Sequence, residues 1–222
     1  MISTLEKKIT LRFLKARKKD GFLNVISIFS FIGISLGVAV LIIVMSVMNG
    51  FRTELINKIV GFNAHITVKP YENQIKIGDL KKTNLDLISE NLILSNSSEA
   101  IIINKDNSKG IVLRGYSVED FSKLKIIKDE TFIGNRHNLK KNFISIGKEL
   151  SFTLNLKIGD EITVMSSSGI ETIIGSLPKK RSFIVNSLFE SGLTDFDNNI
   201  AFININTLDE LFNLKREDRK LE

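Results

Sequence analysis

The run from Gly21 to Phe51 carries no charged residue and is almost wholly apolar; the next charge is Arg52. Crossing the hydrocarbon of a bilayer takes about 20 apolar residues in a helix, so this run is long enough to span with some tilt. A cleavable export signal has an apolar stretch of about 7–15 residues, then small residues at the cleavage site. This run is much longer and ends in Val47-Met48-Asn49-Gly50-Phe51, with no Ala-x-Ala pattern. A core helix of a soluble domain would carry a polar face over such a length. The run therefore predicts a permanent transmembrane helix, and the rest of the chain has to be read around it.

The flanks orient that helix. Lys7, Lys8, Arg12, Lys15, Arg17, Lys18 and Lys19 precede it against only Glu6 and Asp20, which accounts for +5 of the chain's formal net charge of +6. The residues just after it show no such excess. The positive-inside bias places the N-terminus in the cytoplasm and everything after Phe51 outside. With the remainder near neutral, no basic face is left for nucleic acid. There are no cysteines, so an exported domain must rest on its core without disulfides, as suits a bacterial periplasm.

Before the run, residues 2–17 predict an amphipathic helix, with Ile2, Leu5, Ile9 and Phe13 on one side and Lys8, Arg12 and Lys15 on the other. It is either an elbow on the inner membrane surface or a basic flank that only sets topology. The span itself covers roughly residues 23–48. In it Gly33-Ile-Ser-Leu-Gly37 is a small-xxx-small pair that lets another helix approach closely. Leu55, Ile56, Ile59 and Val60 continue one stripe, which predicts that the helix runs on to Gly61 as its C-cap.

Beyond the helix the period changes. "AHITVKP" predicts a strand ended by Pro70, and residues 79–90 a helix with Leu80, Leu85, Leu87 and Ile88 inside. "AIIIN" and "GIVLRGY" read as strands around a "KDNSKG" turn. Ser117 reads as an N-cap for a helix through Leu124. "FISIGKELSFTLNL" is a strand then a short helix, followed by a turn at residues 157–160; "EITVMS", "RSFIVNSLFE" and "NNIAFIN" are strands. Thr207-Leu-Asp-Glu210 reads as a capping box before "LDELFNL". The predicted class is α+β: an amphipathic elbow over residues 1–20, one transmembrane helix over 21–50, and a mixed α/β periplasmic domain over 51–222.

Catalytic motifs are sparse. No G-x-x-x-x-G-K-[ST] sequence occurs, so the chain is not expected to hydrolyse ATP through a P-loop. His65 and His137 stand far apart, His65 expected in a strand and His137 in a loop, and no metal site is expected. Ser145-Ile-Gly-Lys148 and Ser176-Leu-Pro-Lys179 match S-x-x-K, the pattern of a serine–lysine nucleophile. A chain this rich in both residues holds such matches by chance, and Pro178 disfavours a helix across the second. Asp195 and Asp197 in "LTDFDNN" read as a solvated loop rather than a glycosidase pair. No catalytic residue is assigned.

The most informative loop is "SGIETIIGSLPKKRSF". Ile170, Ile173, Ile174 and Leu177 are apolar in a hairpin-like arm punctuated by Gly169 and Gly175, and Lys179, Lys180 and Arg181 form a compact positive patch. An apolar tip beside a basic patch suits a docking surface for an acidic or amphipathic partner. Composition alone favours an ordinary hairpin whose isoleucines reach the core.

The stretch "SFIGISLGVAVLIIVMSVMNGFRTELINKIVGFNAHITV" resembles the first span of the lipoprotein-releasing ABC permeases of LolC/LolE type. The likeness includes the Gly33–Gly37 pair, the exit motif Met48-Asn49-Gly50-Phe51 and "GFNAHI". "LRFLKARKKDGFLNVIS" is similar to the family's N-terminal elbow. "GIVLRGYSVED", "ISIGKELSFTLNLKIGDEITVMS", "GSLPKKRSFIV" and "FESGLTDFDNNIAFININTLDELF" then follow in the family's order. The resemblance implies a permease subunit of the bacterial inner membrane that works in a homo- or heterodimer with a cytoplasmic ABC ATPase. Such a complex extracts lipoproteins from the membrane and hands them to a periplasmic carrier. The subunit is non-catalytic and without a cofactor, ATP being bound by the partner. The periplasmic domain would be like that of macrolide exporters. A hairpin hook grips the carrier in one subunit type; its counterpart here would be Ile173, Ile174, Gly175, Ser176, Leu177, Pro178, Lys179, Lys180 and Arg181, which reverses the composition-only reading.

The family has four spans, three of them after the exported domain, and the sequence stops at Glu222 without them, without the coupling loop between later spans and without the last stretch of the exported domain, so that domain is expected to be incomplete at its C-terminus. The chain is expected to be a fragment of a longer gene or a shortened form. Other readings stay open: another permease of the superfamily, acting in efflux or division; a single-span peptidase using Ser145 or Ser176; or an anchored, non-catalytic adaptor.

Overall fold

The computed structural model describes residues 3–14, 21–69, 89, 91–105, 107–128, 131–172 and 175–222. The chain divides into two compact units, Met1–Leu55 and Ile56–Glu222.

In the first unit, α1 covers Thr4–Leu14. Its start is set by Ser3 and Glu6: Leu5 N donates to Ser3 Oγ (3.2 Å) and Ser3 N donates to Glu6 Oε2 (2.7 Å). This reciprocal pair satisfies amides that have no helical partner. Leu5 and Ile9 of its apolar stripe are exposed. Helix α2 runs without a break over Gly21–Phe62, one residue past the glycine expected to cap it. It is long and apolar enough, over Val25–Ile56, to cross a membrane.

The second unit opens with the hairpin β1 (Leu94–Asn104) and β2 (Asn107–Tyr116). The strands pair down to Asn104↔Asn107. The turn is therefore only two residues long, with Lys105 at φ 52, and most of "KDNSKG" is strand. Next come α3 (Val118–Phe121), α4 (Lys125–Lys128), β3 (Ile133–Gly134), β4 (Phe143–Gly147) and α5 (Lys148–Thr153). Then follow β5 (Glu161–Thr172), β6 (Gly175–Phe189), α6 (Thr194–Asn199), β7 (Ile200–Asn204) and α7 (Ile205–Phe212). A 3₁₀ turn (Arg216–Asp218) and β8 (Lys220–Leu221) end the chain.

The sheet closes on itself. Strand β1 pairs with β2 on one edge and with β5 on the other, and the order β2-β7-β4-β6-β5-β1 completes a ring of six strands. The β2–β7 and β4–β6 pairs are parallel and the other pairs antiparallel. A ring removes the sheet edges on which foreign strands add. Alternate side chains along each strand share a face, and Ile102, Leu113, Ile144, Ile146, Val164, Val185 and Ile203 converge in one core cluster with Leu208, Leu211 and Phe212 of α7. A second, aromatic cluster is built on Phe202 from the opposite face of β7, with Tyr116, Phe121 and Phe189. The Phe202 ring lies 4.8 Å from Phe189 and 5.6 Å from Phe121, centroid to centroid.

The C-terminal strand is held on both sides. Val68 and Leu221 exchange backbone hydrogen bonds (2.8 and 2.9 Å), and Ile93 and Glu222 do the same (both 2.7 Å). Tyr116 OH donates to Glu222 Oε2 (3.1 Å), and burial, with Glu222 beside it, raises the phenol's pKa. The chain leaving α2 is tied in as well, since Arg114 Nη2 donates to Asn63 Oδ1 (2.7 Å).

Four local expectations change. "AHITVKP" forms no strand beyond the single bridge Val68↔Leu221, because β8 offers only two residues to pair with. His65 is exposed and outside any strand. Helix α7 starts at Ile205, capped by Asn204, whose side chain accepts from Asn206 N; Thr207 is buried inside it and donates to the Lys141 carbonyl (3.2 Å). "TDFDNN" is helix α6, not a loop, and Asp197 is buried. The helix predicted over residues 79–90 lies outside the described residues, apart from Ser89.

Candidate functional site

Strands β5 and β6 form a hairpin that outgrows the ring. Strand β1 pairs with β5 only from Thr163 to Ser166, and β4 pairs with β6 only from Ile184 onward. Beyond those points β5 and β6 pair with each other alone, out to Thr172↔Gly175, with an irregularity between Met165 and Gly169. Among the described residues this is a two-stranded arm. Pro178 sits in it opposite Gly169; a strand with a free outer edge tolerates a residue that cannot donate to a ladder. Leu177 is 57% exposed. Of the residues expected to form a hook, Ile173 and Ile174 lie outside the described residues; Gly175 to Arg181 are all in β6.

The basic patch is divided between the two faces of the arm. Lys180 is exposed. Lys179 and Arg181, on the other face, reach α7. Lys179 Nζ donates to the Glu210 carbonyl (3.0 Å) and to Asn213 Oδ1. Arg181 donates to Glu210 Oε2 (3.0 Å) and Asn142 Oδ1 (3.2 Å), and its guanidinium lies over the Phe183 ring at 5.9 Å. Lys141 adds a second ion pair to Glu210 (3.2 Å). Arg181 and Lys141 together hold the Glu210 carboxyl below the usual carboxylate range. These contacts were not legible in the sequence; the one local signal is Asn213, a residue type that adopts the left-handed C-terminal position it occupies here (φ 54).

Gly33 and Gly37 lie in α2 with nothing within 4 Å of a built Cβ, and so does Gly50. The exit motif Met48-Asn49-Gly50-Phe51 is fully helical, and Thr53 Oγ1 donates back to the Asn49 carbonyl (2.9 Å). Met48 and Phe51 are exposed.

The S-x-x-K matches do not assemble into nucleophile and base. Ser145 is buried in β4, while Lys148 Nζ is paired with Glu190 (2.8 Å), whose carboxylate raises the lysine's pKa. A lysine that serves as base needs the opposite shift. Ser176 and Lys179 both lie in β6, and Lys179 Nζ is engaged by α7. Asp197 accepts from the Ser191 amide (2.8 Å) and hydroxyl (2.7 Å). Among the described residues no group of three His, Cys, Asp or Glu could hold a metal. His137 lies in an exposed turn, as expected.

The sequence profile of the MacB-like periplasmic core domain matches residues 27–220. The chain belongs to the MacB-like periplasmic core domain family. Two relatives are lipoprotein-releasing system transmembrane proteins LolC. That of Xylella fastidiosa is 29% identical over 220 residues, covering 96% of this chain and 52% of that protein. That of Neisseria meningitidis is 31% identical over 222 residues, with the same coverage of each. The chain thus spans about half the length of these curated relatives. Among solved structures, the periplasmic region of MacB from Actinobacillus actinomycetemcomitans matches 73% of this chain and 75% of its own, at 11% identity and a TM-score of 0.42. One long apolar N-terminal helix followed by a mixed α/β domain is the architecture expected of a permease with a MacB-like periplasmic core.

Proposed function

We propose that this chain is part of a permease subunit of an ABC complex that releases lipoproteins from the inner membrane. The observation that carries the reading is the likeness to LolC over 96% of the chain, through span and domain alike. The N-terminus lies in the cytoplasm and the MacB-like core in the periplasm, a reading that the basic flank before Gly21 supports. The subunit is non-catalytic and takes no cofactor of its own. A partner ATPase in the cytoplasm supplies the energy, a second permease subunit packs against Gly33 and Gly37, and the β5–β6 arm meets a periplasmic carrier that receives the lipoprotein. The arm supports this because it extends past the ring and carries exposed Leu177 and Lys180.

Depletion of the protein that contains this chain, followed by membrane fractionation, tests the proposal. Lipoproteins bound for the outer membrane accumulate in the inner membrane; normal delivery at full depletion would rule the function out. An efflux or division role in the same superfamily predicts normal lipoprotein delivery, with drug sensitivity or filamentation instead.

A further inference from the structure

The root of the arm is fastened to one end of α7. Lys179 donates to the Glu210 carbonyl in the last turn of that helix, where cations are favoured, and Arg181 and Lys141 converge on the single carboxylate of Glu210 from two different segments. A two-stranded ribbon without neighbours swings about its root unless something fixes it. Glu210 lies across that root, opposite the exposed Lys180 face.

We propose that Glu210 is a positioning residue that latches the arm to α7, holding the Arg181 guanidinium over Phe183 and the arm in one pose for its partner. The latch rests on the reading of the arm as a docking element. Preformed geometry lowers the ordering cost of association. Each ion pair is half-exposed and weak alone. The latch works because one carboxylate, one helix terminus and Asn142 act on adjacent side chains of the same strand.

The chain has no cysteine, so nitroxides at Leu177→Cys on the arm and Glu119→Cys on α3 report the pose in the full chain in lipid nanodiscs. The parent protein gives one narrow distance peak. Glu210→Gln and Arg181→Gln each lose it, while Lys180→Gln on the opposite face of the arm keeps it. A narrow peak surviving in either Glu210→Gln or Arg181→Gln overturns the latch, and so does a peak lost equally in Lys180→Gln. Glu210→Asp adds a second measure: its shorter carboxylate cannot serve both cations, so a narrow peak there overturns the latch and a broad one upholds it. Carrier capture by the same samples is read separately. A parent protein with a narrow peak and no capture removes the docking reading and leaves the latch standing.

Discussion

A methyl group at position 147 would sit 1.9 Å from the Asp197 carbonyl oxygen. Gly147 is thus a glycine for want of space and not for its backbone angles, which any residue adopts (φ −68, ψ 150). Gly147→Ala forces α6 off β4 and is expected to cost about 3 kcal/mol, the upper range for overpacking; a shift in the urea midpoint with unchanged slope checks it. Asp197, just below, titrates above its ordinary value of 3.8 because burial outweighs the bonds from Ser191. The folded state keeps that proton over a pH window in which the unfolded chain has lost it. Its contribution to stability is therefore largest in acid and declines as pH rises from 3.8 through the raised value. The difference in stability between the parent and Asp197→Asn traces that decline across the window; a difference that grows with pH would contradict it. Neither feature is visible in "LTDFDNN", which has the composition of a loop. Burial of Asp197 comes from the close approach that Gly147 allows, a contact across the fold.

At the level of elements, the long-period signals were the legible ones. The uncharged run gave α2, and the β-branched runs "AIIIN", "GIVLRGY" and "NNIAFIN" gave strands where expected, because alternation and apolar length are local properties. Short caps were less secure: Asn204 and Thr207 both suit an N-cap, and the site went to Asn204 because Thr207 is needed against Lys141. The arm was legible as a hairpin and its chemistry only in part, since which face a cation takes depends on register. Span packing is an element-scale prediction. Gly33→Leu fills the open surface through which another helix would approach. In the complete protein it should reduce lipoprotein release and recovery of the permease dimer, with insertion unchanged; release at the parent rate would set aside this use of the glycines.

For the molecule as a whole, the charge asymmetry of the sequence makes a claim that the fold does not. Single cysteines placed at Ser3 and at Lys157 should be labelled by a membrane-impermeant maleimide only at 157 in intact spheroplasts, and at both after lysis. Labelling at Ser3 in intact spheroplasts would reverse the topology. The ring closure was illegible from the sequence for a different reason. Each strand was recognisable, but pairing of β1 with β5 and of β2 with β7 joins residues far apart in the chain, and periodicity carries no information about partners.

That closure also dictates an order of events during synthesis. Hairpin β1–β2 can form as soon as it emerges, but the ring stays open until β7 has inserted between β2 and β4, and Ile93 and Val68 remain unpaired until residues 221 and 222 arrive. Non-local pairing of this kind is slow and leaves strand edges bare meanwhile. While it is being made, the domain is thus open to chaperones and proteases until β7 and β8 have arrived, and nascent chains halted before Asn204 should be degraded far faster than those carried through Glu222.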